Sequence, residues 1–233
     1  MEPTNDIGNA LHALLPHLTA ADTSVLVAHL PRLKERLNAL STAFPAGTQH
    51  SVAIKTNPHP GMLSTLVKWG YGLEAASIEE VERALEAGCT PAKIVFDSPV
   101  KTRAEIAQVV THKDLLVNVN SLGELDRYPA EVACCLGIRV NPQVHTGAPE
   151  MFDVSKNESK FGVAISDREA IIEAALQYPV RALHMHSGSQ MKDLDVQKGA
   201  LETLRDLALE INAKVPGKIE VLDIGGGLPS EPL

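Results

Sequence analysis

Aromatic residues and cysteine are both scarce in this sequence of 233 residues. Phenylalanine, tryptophan and tyrosine make up 3% of it against 44% for all hydrophobic residues, so the core must be mainly aliphatic. The three cysteines, Cys89, Cys134 and Cys135, are an odd number without the spacing of metal ligands. They therefore give no disulfide framework, and they suit a reducing compartment such as the cytoplasm.

Two further absences narrow the class of partner. The chain has 21 basic and 29 acidic residues and a net charge of −8, which argues against a nucleic-acid partner because such a partner requires a basic face. No uninterrupted apolar run is long enough to span a membrane. The first apolar run is broken by His12, Pro16 and His17, unlike a signal peptide. The sequence thus predicts neither a nucleic-acid partner nor a membrane partner.

Apolar, partly β-branched runs recur about every twenty residues, and helical patterns lie between them. Four of the helical patterns begin with a hydroxyl residue followed three positions later by glutamate, the signature of a capping box. These pairs are Ser77 and Glu80, Thr102 and Glu105, Ser121 and Glu124, and Ser166 and Glu169. The predicted strands cover residues 24–28, 51–56, 71–76, 93–98, 115–120, 134–141, 181–186 and 220–224.

Seven of these strands, from residue 51 onward, follow one another at nearly equal spacing without a topological reversal. This favours an α/β fold of the (β/α)8 TIM-like barrel type over a doubly wound sheet. We expect residues 1–45 to form a helical and strand lead-in and residues 46–233 to form the barrel. About seven of the eight barrel strands are present. The sequence therefore predicts a truncated chain, or a barrel closed by another chain or by residues 24–28.

Lys55 lies near the end of the first barrel strand, in Ser51-Val52-Ala53-Ile54-Lys55-Thr56-Asn57-Pro58. A lysine at the mouth of a barrel is well placed to bind an aldehyde cofactor covalently, because desolvation lowers the lysine pKa and the free amine is a nucleophile. The alternative is a lysine whose stem packs at a strand end while its amine stays in water. The stretch alone leaves both interpretations open.

Catalytic groups of such barrels lie at the carboxyl ends of strands. Candidates there include Glu74, Arg139 and Asp223. Three consecutive glycines after the last strand, with a serine after the strand before it, could hold a phosphate. These four residues are Ser189, Gly225, Gly226 and Gly227.

His186 could stack on a cofactor ring, and together with the lysine and the phosphate cradle it suggests pyridoxal phosphate. A histidine of the core is the alternative for His186. His184 and His186 share one face of a strand and could instead chelate a metal, although few further ligands are evident.

Several motifs, in order over residues 51–228, resemble those of one enzyme family. They are Ala53-Ile54-Lys55-Thr56-Asn57-Pro58, Leu73-Glu74-Ala75-Ala76-Ser77, Ile138-Arg139-Val140-Asn141-Pro142, Ser159-Lys160-Phe161-Gly162, Leu183-His184-Met185-His186-Ser187-Gly188-Ser189-Gln190 and Leu222-Asp223-Ile224-Gly225-Gly226-Gly227. The chain thus resembles the fold-type III pyridoxal-phosphate-dependent decarboxylases, the diaminopimelate, ornithine and arginine decarboxylase group. The Ser-Gln ending of the fifth motif is more similar to the diaminopimelate and arginine branches.

The resemblance implies a cofactor, pyridoxal 5'-phosphate, bound as a Schiff base on Lys55. It implies that His186 stacks on the ring, and that Ser189 with Gly225, Gly226 and Gly227 holds the phosphate. Glu74 stands where the family usually has an aspartate near the cofactor. Arg139 and Lys160 match positions that line or brace the site.

For the full-length form the resemblance implies amino-acid decarboxylation, a homodimer and a C-terminal β-domain, which this sequence lacks. It also implies an acidic residue on an eighth strand that pairs with the pyridinium nitrogen. Whether the chain is itself an active enzyme is left open. The alternatives are a non-catalytic pyridoxal-phosphate-binding or regulatory relative, and an amino-acid racemase. The asparagine and proline after Lys55 are less similar to the racemase motif.

Overall fold

The computed structural model describes residues 3–144, 159–188 and 194–227. The chain divides into two compact units, Met1–Thr48 and Gln49–Leu233. The first unit contains two helices, α1 (Pro3–Leu14) and α2 (Leu30–Ala43). No described helix is both long enough and apolar enough to cross a membrane.

The second unit is built on a parallel sheet whose strands follow chain order. The main path runs β1-β2-β3-β4-β5-β7-β8, and the short β6 pairs with β5 beside it. The strands are β1 (Ser51–Ala53), β2 (Gly72–Ala75), β3 (Ile94–Phe96), β4 (Leu116–Val119), β5 (Cys135–Asn141), β6 (Val163–Ala164), β7 (Val180–His184) and β8 (Val221–Asp223).

Helices connect the strands, as parallel pairing requires. They are α3 (Pro60–Lys68), α4 (Ile78–Glu86), α5 (Arg103–Val109), α6 (Leu122–Leu125), α7 (Arg168–Gln177) and α8 (Leu194–Lys214). The seven strands of the main path form a curled, open half-barrel, which confirms the predicted barrel type. Over the described ranges, β1 and β8 remain its two unpaired edges.

The core between sheet and helices is aliphatic, as the composition predicted. Leu73, Ile138 and Leu183 of the sheet are fully buried. Ile106 and Leu204 of the helices are no more than 2% exposed. Removing this apolar surface from water is the main force that fixes the helices on the sheet. The opposite face of the strands carries polar side chains, which the next subsection describes.

The four predicted capping boxes differ in outcome. Thr102 and Glu105 form the complete reciprocal box at the start of α5. Ser77 accepts from the Glu80 N–H, but the Glu80 carboxylate accepts from the N–H of Ala76. The other two boxes do not form as predicted. The carboxylate of Glu124 is engaged elsewhere, and α7 begins after Asp167 without a side-chain cap.

Two strand predictions are wrong. Residues 24–28 are not a strand in the structure; Val25, Leu26 and Val27 are exposed by 46%, 91% and 38%. β-propensity favours a strand only where a partner offers hydrogen bonds and a surface to pack on, and here neither is present in the described structure. The sequence also missed β6, whose two residues are too few to show a pattern.

Candidate functional site

Polar side chains converge at the carboxyl ends of the strands, inside the curled sheet. Their close mutual contacts show that they share this interior. They are Glu74 of β2, Asp97 just after β3, Asn118 of β4, Arg139 of β5, His184 of β7 and Asp223 of β8. The site therefore draws on six strands, which the pairing of distant segments brings together.

Lys55 lies in a 3-10 turn that follows β1 directly (Ile54–Thr56). Its Nζ is 4.0 Å from Oε2 of Glu74, and its side chain is 62% exposed. The predicted desolvation of this lysine is therefore not found. The turn lifts residue 55 off the strand, so the amine reaches the mouth of the half-barrel and not its interior.

Glu74, in contrast, is largely buried, with 20% of its side chain exposed. Burial raises the pKa of Glu74 to about 7, although the positive charge of Lys55 opposes this shift. Near neutral pH this carboxyl group can therefore take up or release a proton beside the lysine amine.

Arg139 is buried and makes an ion pair with Asp97, with 2.7 Å between Nη1 and Oδ2. Its guanidinium also lies 4.7 Å from the centroid of the Phe161 ring, and Nζ of Lys160 lies 5.1 Å from the same centroid. Both cations thus pack against one ring. The bracing role of residues 139 and 160 stays a prediction.

His184 is buried between two carboxylates. Its Nδ1 lies 2.9 Å from Oδ2 of Asp223, and its Nε2 lies 3.3 Å from Oδ2 of Asp97, a charge contact without hydrogen-bond geometry. Burial alone would lower the pKa of His184, but Asp223 and Asp97 raise it to about 10. The pKa of Asp97 is held well below its ordinary range, because His184 and Arg139 outweigh the effect of burial.

His186 and the glycines after β8 are in contact. The N–H of Gly226 donates to Nδ1 of His186 at 3.2 Å, and the N–H of Gly225 donates to Oδ1 of Asp223 at 3.0 Å. Burial, followed by the positive charges of His184, Arg139 and Lys55, lowers the pKa of His186 to about 4.

The structure therefore brings Lys55, Glu74, Arg139 and His186 to one end of the sheet with Gly225 and Gly226. Gly227 follows them in the same loop at φ +95°. Ser189, predicted to contact phosphate, lies outside the described residues. Among the described residues, no group of three or more His, Cys, Asp and Glu side chains could hold a metal ion.

Sequence reasoning missed Asp97, Asn118 and the buried Lys101. Lys101 Nζ lies 3.2 Å from Oε1 of Glu124 and donates to the carbonyls of Ser98 and Asn118 at 2.8 and 2.6 Å. This pair joins the loop after β3 to helix α6. A signal did exist for Asp97 and Asn118, because both fall in predicted strands at or near the carboxyl end.

The protonated state of His184 predicts that the folded chain loses stability at alkaline pH. Its pKa is higher in the folded chain (about 10) than in an unfolded one (about 6.5), so its contribution is complete below pH 6.5 and lost as pH rises toward 10. We expect the free energy of unfolding to fall by roughly 2 kcal/mol between pH 7 and pH 9. Urea unfolding at the two pH values measures this change.

The matched variants are His184→Gln, which should flatten the alkaline slope, and His112→Gln, which should retain it. His112 lies in the turn before β4, at the opposite end of the strands from the site. An equal slope in wild type and His184→Gln would contradict the assignment of this charge.

The fold and the site together define a barrel-type protein with a lysine, two histidines and a glycine loop at the strand ends. Residues 30–232 match the family described as "Pyridoxal-dependent decarboxylase, pyridoxal binding domain". The chain belongs to this family, which confirms the predicted family and its cofactor, pyridoxal 5'-phosphate.

Known relatives agree with this assignment. The chain is 37% identical to the diaminopimelate decarboxylase of Pseudomonas aeruginosa over 194 residues, which are 78% of this chain and 46% of that protein. The corresponding Aquifex aeolicus enzyme is 34% identical over 205 residues, 84% of this chain and 48% of that protein.

Among solved structures, diaminopimelate decarboxylase from Helicobacter pylori complexed with L-lysine superposes with a TM-score of 0.77. It is 27% identical, over 86% of this chain and 53% of that one. The chain thus spans about half the length of the curated relatives it matches.

Proposed function

We propose that this chain is the cofactor-binding barrel of an amino-acid decarboxylase, with Lys55 as the residue that holds pyridoxal 5'-phosphate. The observation that carries the proposal is the position of the Lys55 amine, at a strand end in the mouth of the half-barrel and 4.0 Å from Glu74. A nucleophilic amine needs both access to the aldehyde and a group that exchanges protons nearby. Exposure of Lys55 provides the access, and Glu74 provides the proton exchange.

The surrounding residues fit the rest of the cofactor. An added Cβ at Gly226 would meet its nearest atom only at 4.0 Å, so there is open space beside the Cα of this glycine, while its N–H donates to His186. His186 is tied to the same loop and presents a flat ring next to it. We infer that Gly225, Gly226, Gly227 and Ser189 hold the phosphate, and that Arg139 braces the loop that contains Phe161.

When bound, pyridoxal phosphate serves as the electron sink for the negative charge left at Cα after the α-carboxylate departs. The protein's own groups orient the reactants and exchange protons. Lys55 would hold the cofactor, and its amine lies at the mouth of the half-barrel beside Glu74. Glu74, with its pKa raised by burial to about 7, can hold a proton beside that amine near neutral pH.

The proposed substrate is diaminopimelate or a related amino acid. The support is the name of the relatives, several of them diaminopimelate decarboxylases, and the lysine in the Helicobacter pylori structure. A homodimer of the full-length form and a cytoplasmic location complete the proposal and rest on the family resemblance alone.

Borohydride reduction tests the cofactor site. We expect the purified chain, mixed with pyridoxal phosphate and reduced, to carry one adduct, which peptide mass spectrometry locates on Lys55. Lys55→Ala should lose the adduct completely. Lys68→Ala is the control and should keep it, because Lys68 is an exposed lysine on the neighbouring helix α3.

An adduct that persists in Lys55→Ala, or a wild-type adduct spread over many surface lysines, would refute the proposed site. Carbon dioxide release from diaminopimelate, lysine, arginine and ornithine then tests the activity separately. Labelling at Lys55 without release from any of them when the full-length form is assayed would favour a non-catalytic cofactor-binding protein.

A further inference from the structure

Two histidines at the end of β7 occupy opposite electrostatic surroundings although only one residue separates them. His184 is in contact with two carboxylates, whereas His186 accepts a hydrogen bond from a backbone amide. Neighbouring titratable groups that their surroundings hold in different protonation states often have different roles in a site.

The contacts of His184 determine its charge. Asp97 and Asp223 are buried carboxylates, and Arg139 is a permanent cation paired with Asp97. With His184 protonated, this cluster holds two negative and two positive charges and is neutral. With His184 neutral, one buried carboxylate would lack a counter-ion, an arrangement that proteins avoid because burying an unpaired charge is costly.

The contacts of His186 determine the opposite state. Nδ1 of His186 accepts from the Gly226 N–H at 3.2 Å, and a ring nitrogen that accepts a hydrogen bond carries no proton. The same loop is fixed to the His184 cluster, because Oδ1 of Asp223 accepts from the Gly225 N–H while Oδ2 faces His184. One carboxylate thus links the two histidines through consecutive glycine amides.

We propose that His184 is a positioning residue for His186: its positive charge, fixed between Asp97 and Asp223, adds to burial in opposing protonation of His186, whose neutral imidazole is held against the cofactor ring. The task assigned to His186 rests on the proposed function. A neutral ring can stack on the electron-poor pyridine, whereas a second cation there would repel both the ring and the Lys55 amine.

The other charges that act on His186 are compatible with this assignment. His184, Arg139 and Lys55 all oppose its protonation, Asp97 favours it, and burial is the largest effect, so that the pKa of His186 is lowered to about 4. His184 itself is influenced by Asp223 and Asp97, which raise its pKa to about 10. Glu74 is also near enough for the charge of His184 to act on its carboxyl group.

Nuclear magnetic resonance of ring-labelled histidine, recorded on the cofactor-free chain, tests the proposal without relying on activity. In wild type we expect His184 to be doubly protonated from pH 5.5 to 8 and His186 to be neutral, with its proton on Nε2. In His184→Gln the titration midpoint of His186 should rise by about one pH unit. In Asp97→Asn the midpoint of His184 should fall.

His112→Gln is the matched control and should move neither signal; His186→Gln assigns the His186 resonance. A neutral His184 or a protonated His186 in wild type at pH 7 would overturn the proposal. An unchanged His186 midpoint in folded His184→Gln would overturn it as well. Lys55 labelling can fail while these titrations succeed, so the two proposals are tested separately.

Discussion

Replacing Lys101 with methionine is expected to lower the free energy of unfolding by about 3–5 kcal/mol. Methionine can fill the space of the aliphatic stem but leaves the Glu124 carboxylate without its counter-ion in the core. Both side chains of the pair are buried, with 0% and 5% exposed, and the carbonyls of Ser98 and Asn118 also lose their donor. Urea unfolding followed by circular dichroism measures the loss.

The double variant Lys101→Met with Glu124→Gln separates charge from packing. Glutamine can turn its one amide oxygen toward the Asn120 N–H and its amide nitrogen toward the Tyr128 hydroxyl, which then accepts instead of donating, and it removes the uncompensated charge. We therefore expect the double variant to be more stable than Lys101→Met alone. Lys113→Met, at an exposed position, is the surface control. If Lys101→Met were no more destabilising than Lys113→Met, the buried pair would not be what joins the loop after β3 to helix α6.

The barrel-type fold could be predicted because its signals are local. Each βα unit repeats an apolar strand, a turn and an amphipathic helix, and Thr102 with Glu105 marks one helix start through neighbours only three positions apart. The rule that functional groups lie at strand ends then located Lys55, Glu74, Arg139 and His186 without knowledge of which strands pair.

The polar interior could not be predicted in the same way. Asp97 pairs with Arg139 and His184, which lie 42 and 87 residues further along the chain, so the contacts depend on strand order and register. The wrong strand at residues 24–28 has a related cause, because propensity without a partner strand does not fix a conformation. Exposure of Lys55 was missed because the strand stops at Ala53, before the lysine.

Three consecutive glycines follow β8, and substitutions can show at which of them the backbone conformation requires glycine. We expect Gly225→Ala to lower the free energy of unfolding by about 3 kcal/mol and to abolish labelling of Lys55 by pyridoxal phosphate and borohydride. Gly225 has φ +66°, and an added Cβ would lie 2.3 Å from the Met185 carbonyl oxygen and 3.1 Å from Nδ1 of His186. The loop would have to move away from β7, breaking its contact with His186.

Gly226→Ala is the matched control for stability, because its Cβ would meet no atom closer than 4.0 Å. Both substitutions reduce the conformational freedom of the unfolded chain equally, so this contribution cancels when the two variants are compared by urea unfolding. A difference between them therefore measures the clash and the strained φ at residue 225 alone. Equal stability of the two variants would mean that the loop can adopt another path, and then the contact between Gly226 and His186 could not fix the imidazole.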